Sequence, residues 1–196
     1  MADLKEEKTV VLVKPDGVKR GLIGEVIKRF ESRGLKVIAL KMIIASEEHA
    51  HSHYPNSEEW LRGMGEKTLE TYKQYGKDPM KEIGSDDALE IGKMVAGWNV
   101  EFLTSGPMVA MVVQGIHAVD MVRKIVGKTI PAVAEMGTIR GDFSVDSPTL
   151  ANAGKRAIHN VVHASGDQSE AEHELKHWFE DGEINGYKRA EEDIMF

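Results

Sequence analysis

A histidine set between two valines and a run of small residues is the first feature of this chain that suggests chemistry. His163 follows Val161-Val162 and precedes Ala164-Ser165-Gly166, so a strand end would present its ring beside open space. A neutral imidazole is a competent nucleophile near pH 7, provided a partner on its second nitrogen fixes tautomer and orientation. A core histidine bonded to a backbone carbonyl would fit the same local sequence. The next segment decides how far the nucleophile reading can go. Residues 169–180 carry Ala171, Leu175, Trp178 and Phe179 on one helical face, and Glu174 borders that face. Glu174 is therefore the expected partner of the ring; Glu170, one turn earlier, stands as the alternative, and Glu172 points elsewhere.

Three cations lie where an anionic group would want them. Lys14 ends an apolar run, Arg123 belongs to a short helical pattern, and Arg140 sits between Gly137 and Gly141 in a string that reads as a tight backbone conformation. Arginine offers a planar fork that matches phosphate oxygens, and lysine a compact point charge. Each alone is as easily a solvated surface charge. No Gly-x-x-x-x-Gly-Lys-Ser/Thr string occurs, so a phosphate site here must be built without a P-loop. His49, His51 and His53 look like a metal cluster, yet only His49 and His53 share a helical face and no third ligand stands nearby. His117, His159, His173 and His177 read as loop or surface residues.

The elements that must position these groups are visible in outline. Residues 9–13 (TVVLV) read as a buried strand ending at the turn signal Lys14-Pro15-Asp16-Gly17. Leu22, Ile23, Val26, Ile27 and Phe30 have the spacing of an amphipathic helix closed by Gly34. Residues 35–44 read as a second strand, and Ser46 as the cap of a helix whose first turn holds Glu47 and Glu48. The polar stretch 56–97, broken at Gly76, Pro79 and Gly84, reads as two or three helices. Residues 107–114 form a strand, 119–126 a helix, 127–159 a long connection, and 160–164 a last short strand. Two βαβ halves predict a ferredoxin-like α/β sandwich, an antiparallel sheet with helices on one face. No repeat or linker divides the 196 residues, so a single domain is expected, with a helical insertion at about 56–97 and a loop insertion at about 144–157.

Composition narrows the function classes. With 25 basic and 32 acidic residues the net charge is −7, which disfavours nucleic acid and acidic membranes as main partners while leaving room for a locally neutralised phosphate. There is no cysteine, which excludes disulfides, thiol catalysis and thiolate metal sites. The charged N-terminus and the short apolar runs predict a cytoplasmic protein without a membrane span.

Taken in order, several strings resemble the nucleoside diphosphate kinase family. They are Lys14-Pro-Asp-Gly-Val-Lys-Arg-Gly21, Gly24-Glu-Val-Ile-Lys-Arg-Phe30, Ala45-Ser-Glu-Glu-His49, His53-Tyr54, Ser105-Gly-Pro107, Gly137-Thr-Ile-Arg-Gly-Asp-Phe143 and Asn160-Val-Val-His163. The resemblance implies a ping-pong transfer of the γ-phosphate of a nucleoside triphosphate, ATP above all, to a nucleoside diphosphate through a phosphohistidine. It implies Mg²⁺ carried mainly by the nucleotide phosphates rather than by side chains, and a homo-oligomer, tetramer or hexamer, built from dimers. In the catalytic set it places His163 as nucleophile, Glu174 as its orienting carboxylate, Ser165 as the hydroxyl near that carboxylate, Tyr54 beside the histidine and Lys14 on the transferred phosphate. It assigns Arg123, Thr129 and Arg140 to the donor phosphates and Asn160 to the sugar hydroxyl.

The chain departs from the family pattern around the nucleoside. Besides the two insertions, Ala164-Ser165-Gly166 stands where many members have Gly-Ser-Asp, and His159 where an arginine is common. The family usually stacks a phenylalanine on the base, yet none occurs between Phe30 and Phe102. Trp98, four residues before Phe102, is the candidate replacement, with Tyr72 and Tyr75 as alternatives, and an anchor of the helical hairpin to the core is the competing role for Trp98. Two other classes compete with the kinase: an inactive nucleotide-binding regulator, and a relay that passes phosphate from histidine to a protein.

Overall fold

A computed structural model describes residues 7–190 and 192–195. By its internal contacts the chain falls into two compact units. The first comprises Met1–Ile43, Pro107–Ser144 and Asn160–Phe196, the second Ile44–Gly106 and Val145–His159.

In the first unit, β1 (Lys8–Val13), β2 (Lys36–Ile43), β3 (Met108–Gln114) and β4 (Val162–Ala164) form a sheet in the order β2-β3-β1-β4, all neighbours antiparallel. That order, with helical crossovers after β1 and β3, is the ferredoxin-like fold. The helices of the unit are α1 (Pro15–Lys19), α2 (Ile23–Glu31), α7 (Ala118–Val126), α8 (Ile139–Phe143), α10 (Gln168–Trp178) and the short α11 (Glu192–Met195). Val11 and Val13 of β1 and Val109, Met111 and Val113 of β3 share one sheet face. Val26 and Phe30 of α2 and Val122 and Val126 of α7 close over them in a single buried cluster. The alternate residues, Val10, Leu12, Met108, Ala110 and Val112, are fully buried as well. A strand covered on both faces needs no polar alternation, which is why β1 and β3 read as unbroken apolar runs. Among the described residues no helix is long and apolar enough to cross a membrane.

The second unit is helical: α3 (Glu47–His53), α4 (Glu58–Gln74), α5 (Pro79–Ile83), α6 (Ala88–Thr104) and α9 (Pro148–Ala153). Each begins on a side-chain cap, from Ser46, Ser57, Asp78, Asp87 and Ser147 respectively. Helices α4 and α6 run antiparallel with their backbones almost touching. A β-carbon on Gly65 would lie 1.7 Å from the carbonyl oxygen of Ala88, and one on Gly92 would lie 1.9 Å from that of Leu61. Near the end of the unit, Arg156 forks onto the buried carboxylate of Asp146, which also accepts the His159 N–H, and the His159 ring stacks on Phe102 at 4.7 Å.

Local readings differ from the structure at four places. The turn at Lys14–Gly17 is the first turn of α1, entered through Pro15, whose fixed φ suits a helix start. Gly137–Asp142 is not a tight loop around Arg140: Thr138 caps α8, its hydroxyl accepting the Gly141 N–H. The connection 127–159 is not irregular throughout, since it contains a 3-10 turn at Pro131–Val133 as well as α8 and α9. The last strand starts at Val162 rather than at 160, because Val161 takes the left-handed conformation, φ 68°.

Candidate functional site

Register places the histidine. His163 is paired with Leu12, and directly opposed residues of an antiparallel pair share a face, so its side chain leaves the sheet opposite the α2–α7 core. The ring meets α10 there. Its Nε2 lies 2.6 Å from Glu174 Oε1, and the second oxygen of Glu174 accepts the Ser165 hydroxyl at 2.7 Å. Ser165 is itself fully buried and accepts the Val10 N–H at 3.2 Å. Glu174 is 1% exposed, so its carboxylate is fixed at both ends and holds the Nε2 side of the ring. The lone pair then belongs to Nδ1. Glu170 is not the ring's hydrogen-bond partner. It accepts the Gly166 N–H at 2.7 Å, and burial first, then the neighbouring Glu174, holds its carboxyl above the usual range.

The backbone before His163 is strained and clamped. Val162 N–H donates to Asn160 O at 2.7 Å across Val161, a γ-turn with positive φ, a costly conformation for a β-branched residue. Asp16 accepts the Val161 N–H and the Val161 carbonyl accepts the Lys14 N–H, at 3.0 and 2.8 Å. Gly17 permits the approach, for a β-carbon there would sit 2.9 Å from the Val161 oxygen. Strain of this kind persists only where the surroundings hold it, and it concentrates at functional sites. In the sequence Asp16 has the look of a turn residue only, since its place after a strand-ending lysine carries no sign of a partner so distant in the chain.

The cations gather around this kink. Lys14 Nζ donates to Asn160 Oδ1 at 2.9 Å, and Asn160 Nδ2 donates to the Thr129 carbonyl at 2.9 Å. Arg140 is buried, with its guanidinium on the carbonyls of Gly127, Val162 and, at 3.4 Å, Asn160. Arg123 is exposed and donates to Gly166 O at 2.7 Å. Burial, then Arg140, and against them Asp16, leave the Lys14 amine at about 8; burial and then Arg123 lower Arg140 to about 10. Lys14 and Arg140, buried with their charged forms disfavoured, gain from a neighbouring anion, which favours the charged form of both. The first unit thus brings together Lys14, Arg123, Thr129, Arg140, Asn160, His163, Ser165 and Glu174. Tyr54 and Trp98 belong to the second unit. The Tyr54 ring lies 4.8 Å from that of His53 and stacks on Trp60 at 6.2 Å, and Trp98 is half-buried on α6. Trp60 was not singled out from sequence, where it sits at the edge of an otherwise polar helix.

Such a site can align a phosphoryl group with a nucleophilic nitrogen and neutralise its oxygens. Its cations and amide are joined by carboxylates that already accept hydrogen bonds, Glu174 from Ser165, Glu170 from Gly166 and Asp16 from Val161. That donor chemistry fits a cation arriving on the phosphates.

Comparison with known proteins agrees. A family model described as nucleoside diphosphate kinase matches residues 7–61 and 89–184. The unmatched stretch between the two blocks falls within the 56–97 segment. A nucleoside diphosphate kinase of Pyrobaculum aerophilum is 52% identical over 178 residues, 91% of this chain and 97% of the relative. The crystal structure of an NDP kinase from that organism superposes with a TM-score of 0.89 at 49% identity, covering 92% of this chain and all of that one. A Borrelia burgdorferi nucleoside-diphosphate kinase, solved as a transition-state mimic with bound vanadate and ADP, is similar at TM-score 0.76 and 36% identity, covering 97% of this chain and 96% of that chain.

Proposed function

The chain belongs to the nucleoside diphosphate kinase family, and from that premise we propose that the phosphate in transit rests on His163 Nδ1 between two half-reactions. The observation that carries this reading is the 2.6 Å link between His163 Nε2 and a Glu174 carboxylate that Ser165 fixes from the other side. In the first half-reaction the Nδ1 lone pair attacks the γ-phosphorus of a nucleoside triphosphate. The bond from phosphorus to the β-bridging oxygen breaks, and the nucleoside diphosphate leaves. The ring gains positive character, which Glu174 stabilises while keeping the Nε2 proton. In the second half-reaction a terminal oxygen of another nucleoside diphosphate takes the phosphoryl group and the lone pair returns to Nδ1. Transfer of this kind asks for alignment and charge neutralisation rather than covalent chemistry from the surroundings.

Lys14, Arg123 and Arg140 supply positive charge, Thr129 helps to hold the donor phosphates, and Asn160, already bonded to Lys14, receives the sugar hydroxyl. Tyr54 joins the catalytic set as the family resemblance implies, and Trp98 is the ring proposed for the base, with Trp60 as its competitor because that ring stacks on Tyr54. Mg²⁺ carried on the nucleotide phosphates would supply further charge neutralisation beside Lys14, Arg123 and Arg140. We place the protein in the cytoplasm, as a homo-oligomer. The outer strand β2 supports the latter, for it leaves Leu40 and Met42 more than half exposed on a sheet edge.

Brief exposure to magnesium and radiolabelled ATP, then isolation and a chase with GDP, tests the reading. An acid-labile, base-stable label that passes to GDP is expected, and His163→Ala should abolish both label and turnover. A label the chase cannot remove would mark a protein relay. Absence of label would mark a regulator, and a label surviving His163→Ala would overturn the mechanism.

A further inference from the structure

Helix α10 contains the string His173-Glu174-Leu175-Lys176-His177, two histidines one helical turn apart with a glutamate beside the first. On a helix this spacing puts both imidazoles on one face, the arrangement by which two histidines grip one transition-metal ion. In metal-dependent hydrolases with that string the glutamate faces the metal-bound water. Here Glu174 is turned inward onto His163 and Ser165, so hydrolysis does not follow from the string. The two histidines are on the outer side of the same helix. His173 is exposed, His177 is half-buried, and their rings are parallel within 7° with centroids 6.2 Å apart.

We propose that His173 and His177 form a surface site for one divalent transition-metal ion of the Zn²⁺, Ni²⁺ or Cu²⁺ class. Imidazole nitrogens suit these ions and not Mg²⁺, which takes oxygen ligands, so the site is chemically separate from the ion that travels with nucleotides. Histidines at this spacing reach a shared ion at about 2.0–2.1 Å from each nitrogen by side-chain rotation, mainly of the exposed His173 toward the half-buried His177, and water completes the coordination. The surrounding charge favours a cation, since Glu170, Glu172 and Glu174 outnumber Lys176 along the helix. The other pair with this spacing, His49 and His53 on α3, is differently placed: His53 is buried. An ion bridging one turn of α10 stabilises the helix that carries Glu174, because it binds the folded helix better than the open chain. The His177 ring also stands edge-on to Trp178 at 4.9 Å, so Cu²⁺ held there is expected to quench that indole.

The test titrates the nucleotide-free, metal-free protein with Zn²⁺ by calorimetry and with Cu²⁺ by tryptophan fluorescence, in wild type, His173→Ala, His177→Ala and His163→Asn. Wild type and His163→Asn should bind one ion with equal affinity, whereas losing either helix histidine should weaken binding by about tenfold or more, at least what indirect metal partners typically cost. Zn²⁺ should raise the thermal transition of wild type and not of the two helix variants. Retained labelling by magnesium-ATP shows that those variants are folded. An unchanged Zn²⁺ titration in His177→Ala would overturn the proposal, and so would loss of the site in His163→Asn, which would put the ion on the nucleophile.

Discussion

The two units of this protein achieve order by opposite means. The first holds charged and strained groups at strand ends, each tied by hydrogen bonds: Val161 to Asp16 and Lys14, Glu174 to His163 and Ser165, Arg140 to three carbonyls. The second gains its order from helix backbones brought together at Gly65 and Gly92, and from caps at every helix start. One depends on which atom meets which. The other depends first on close backbone approach, with polar ties such as the Asp146–Arg156 pair added to it. Substitutions in the two units should therefore fail in different ways.

The largest effect short of the nucleophile itself is expected at Lys14. Removing one preorganised donor from a developing charge costs roughly 10²–10³ in turnover, so Lys14→Ala should lose about that much kcat with fold intact. Unchanged turnover would remove Lys14 from the site. The same residue sets a pH signature. Its amine is lowered from 10.5 to about 8, so between those values the folded, ligand-free state holds fewer protons than the unfolded one. Stability then rises with pH through that window, and the penalty is fully present below about 8. An anion reverses the sign locally: binding restores the ammonium, takes up a proton, and weakens as pH rises past about 8. Calorimetry in two buffers of different ionisation heat should detect that uptake in wild type and not in Lys14→Met.

An intermediate effect is expected from Gly92→Ala. The added carbon would lie 1.9 Å from the Leu61 oxygen, and overpacking of this kind costs about 1–3 kcal/mol. Amide exchange should accelerate in α4 and α6 and stay slow in β1 and β3. Equal acceleration in the sheet would show that the two units unfold as one. The smallest effect is expected at Trp98: loss of a ring stacked on a base costs ~1–3 kcal/mol in nucleic-acid proteins, so Trp98→Ala should weaken nucleotide binding several-fold. Unchanged affinity in the folded variant, with a loss in Trp60→Ala, would transfer the role to Trp60.

What could be read from the chain follows from the range of the signals. The strands and α2 were legible because burial imposes a local period, and the glycine and proline interruptions of 56–97 marked real helix ends. Glu174 was narrowed but not decided, since helical spacing allowed Glu170 as well; the register of β4 against β1 turns the ring toward α10, and the 2.6 Å contact there picks out Glu174. α8 was hidden because Gly137 before it and Gly141 inside it suggest a loop, whereas its cap lies in the single hydroxyl of Thr138. The γ-turn at Val161 was not legible at all. Nothing in a valine announces positive φ, and the groups that enforce it lie some 145 residues away in sequence.

That kink also determines which way the strand can err. A β-strand slipped by one residue shows every side chain to the opposite face. For β4 such a slip would turn His163 away from Glu174 and into the valines that α2 and α7 cover, while lifting Val162 out of them. The three residues of β4 are too few to oppose this by pairing alone. Val161 opposes it from outside the strand. Pinned through its N–H by Asp16 and through its carbonyl by Lys14, it acts as an index mark, and a slipped strand would have to carry the left-handed turn onto a neighbour that neither group can reach. The strain at Val161 therefore works as an alignment key: it keeps the correct face of a very short strand from being exchanged for the wrong one.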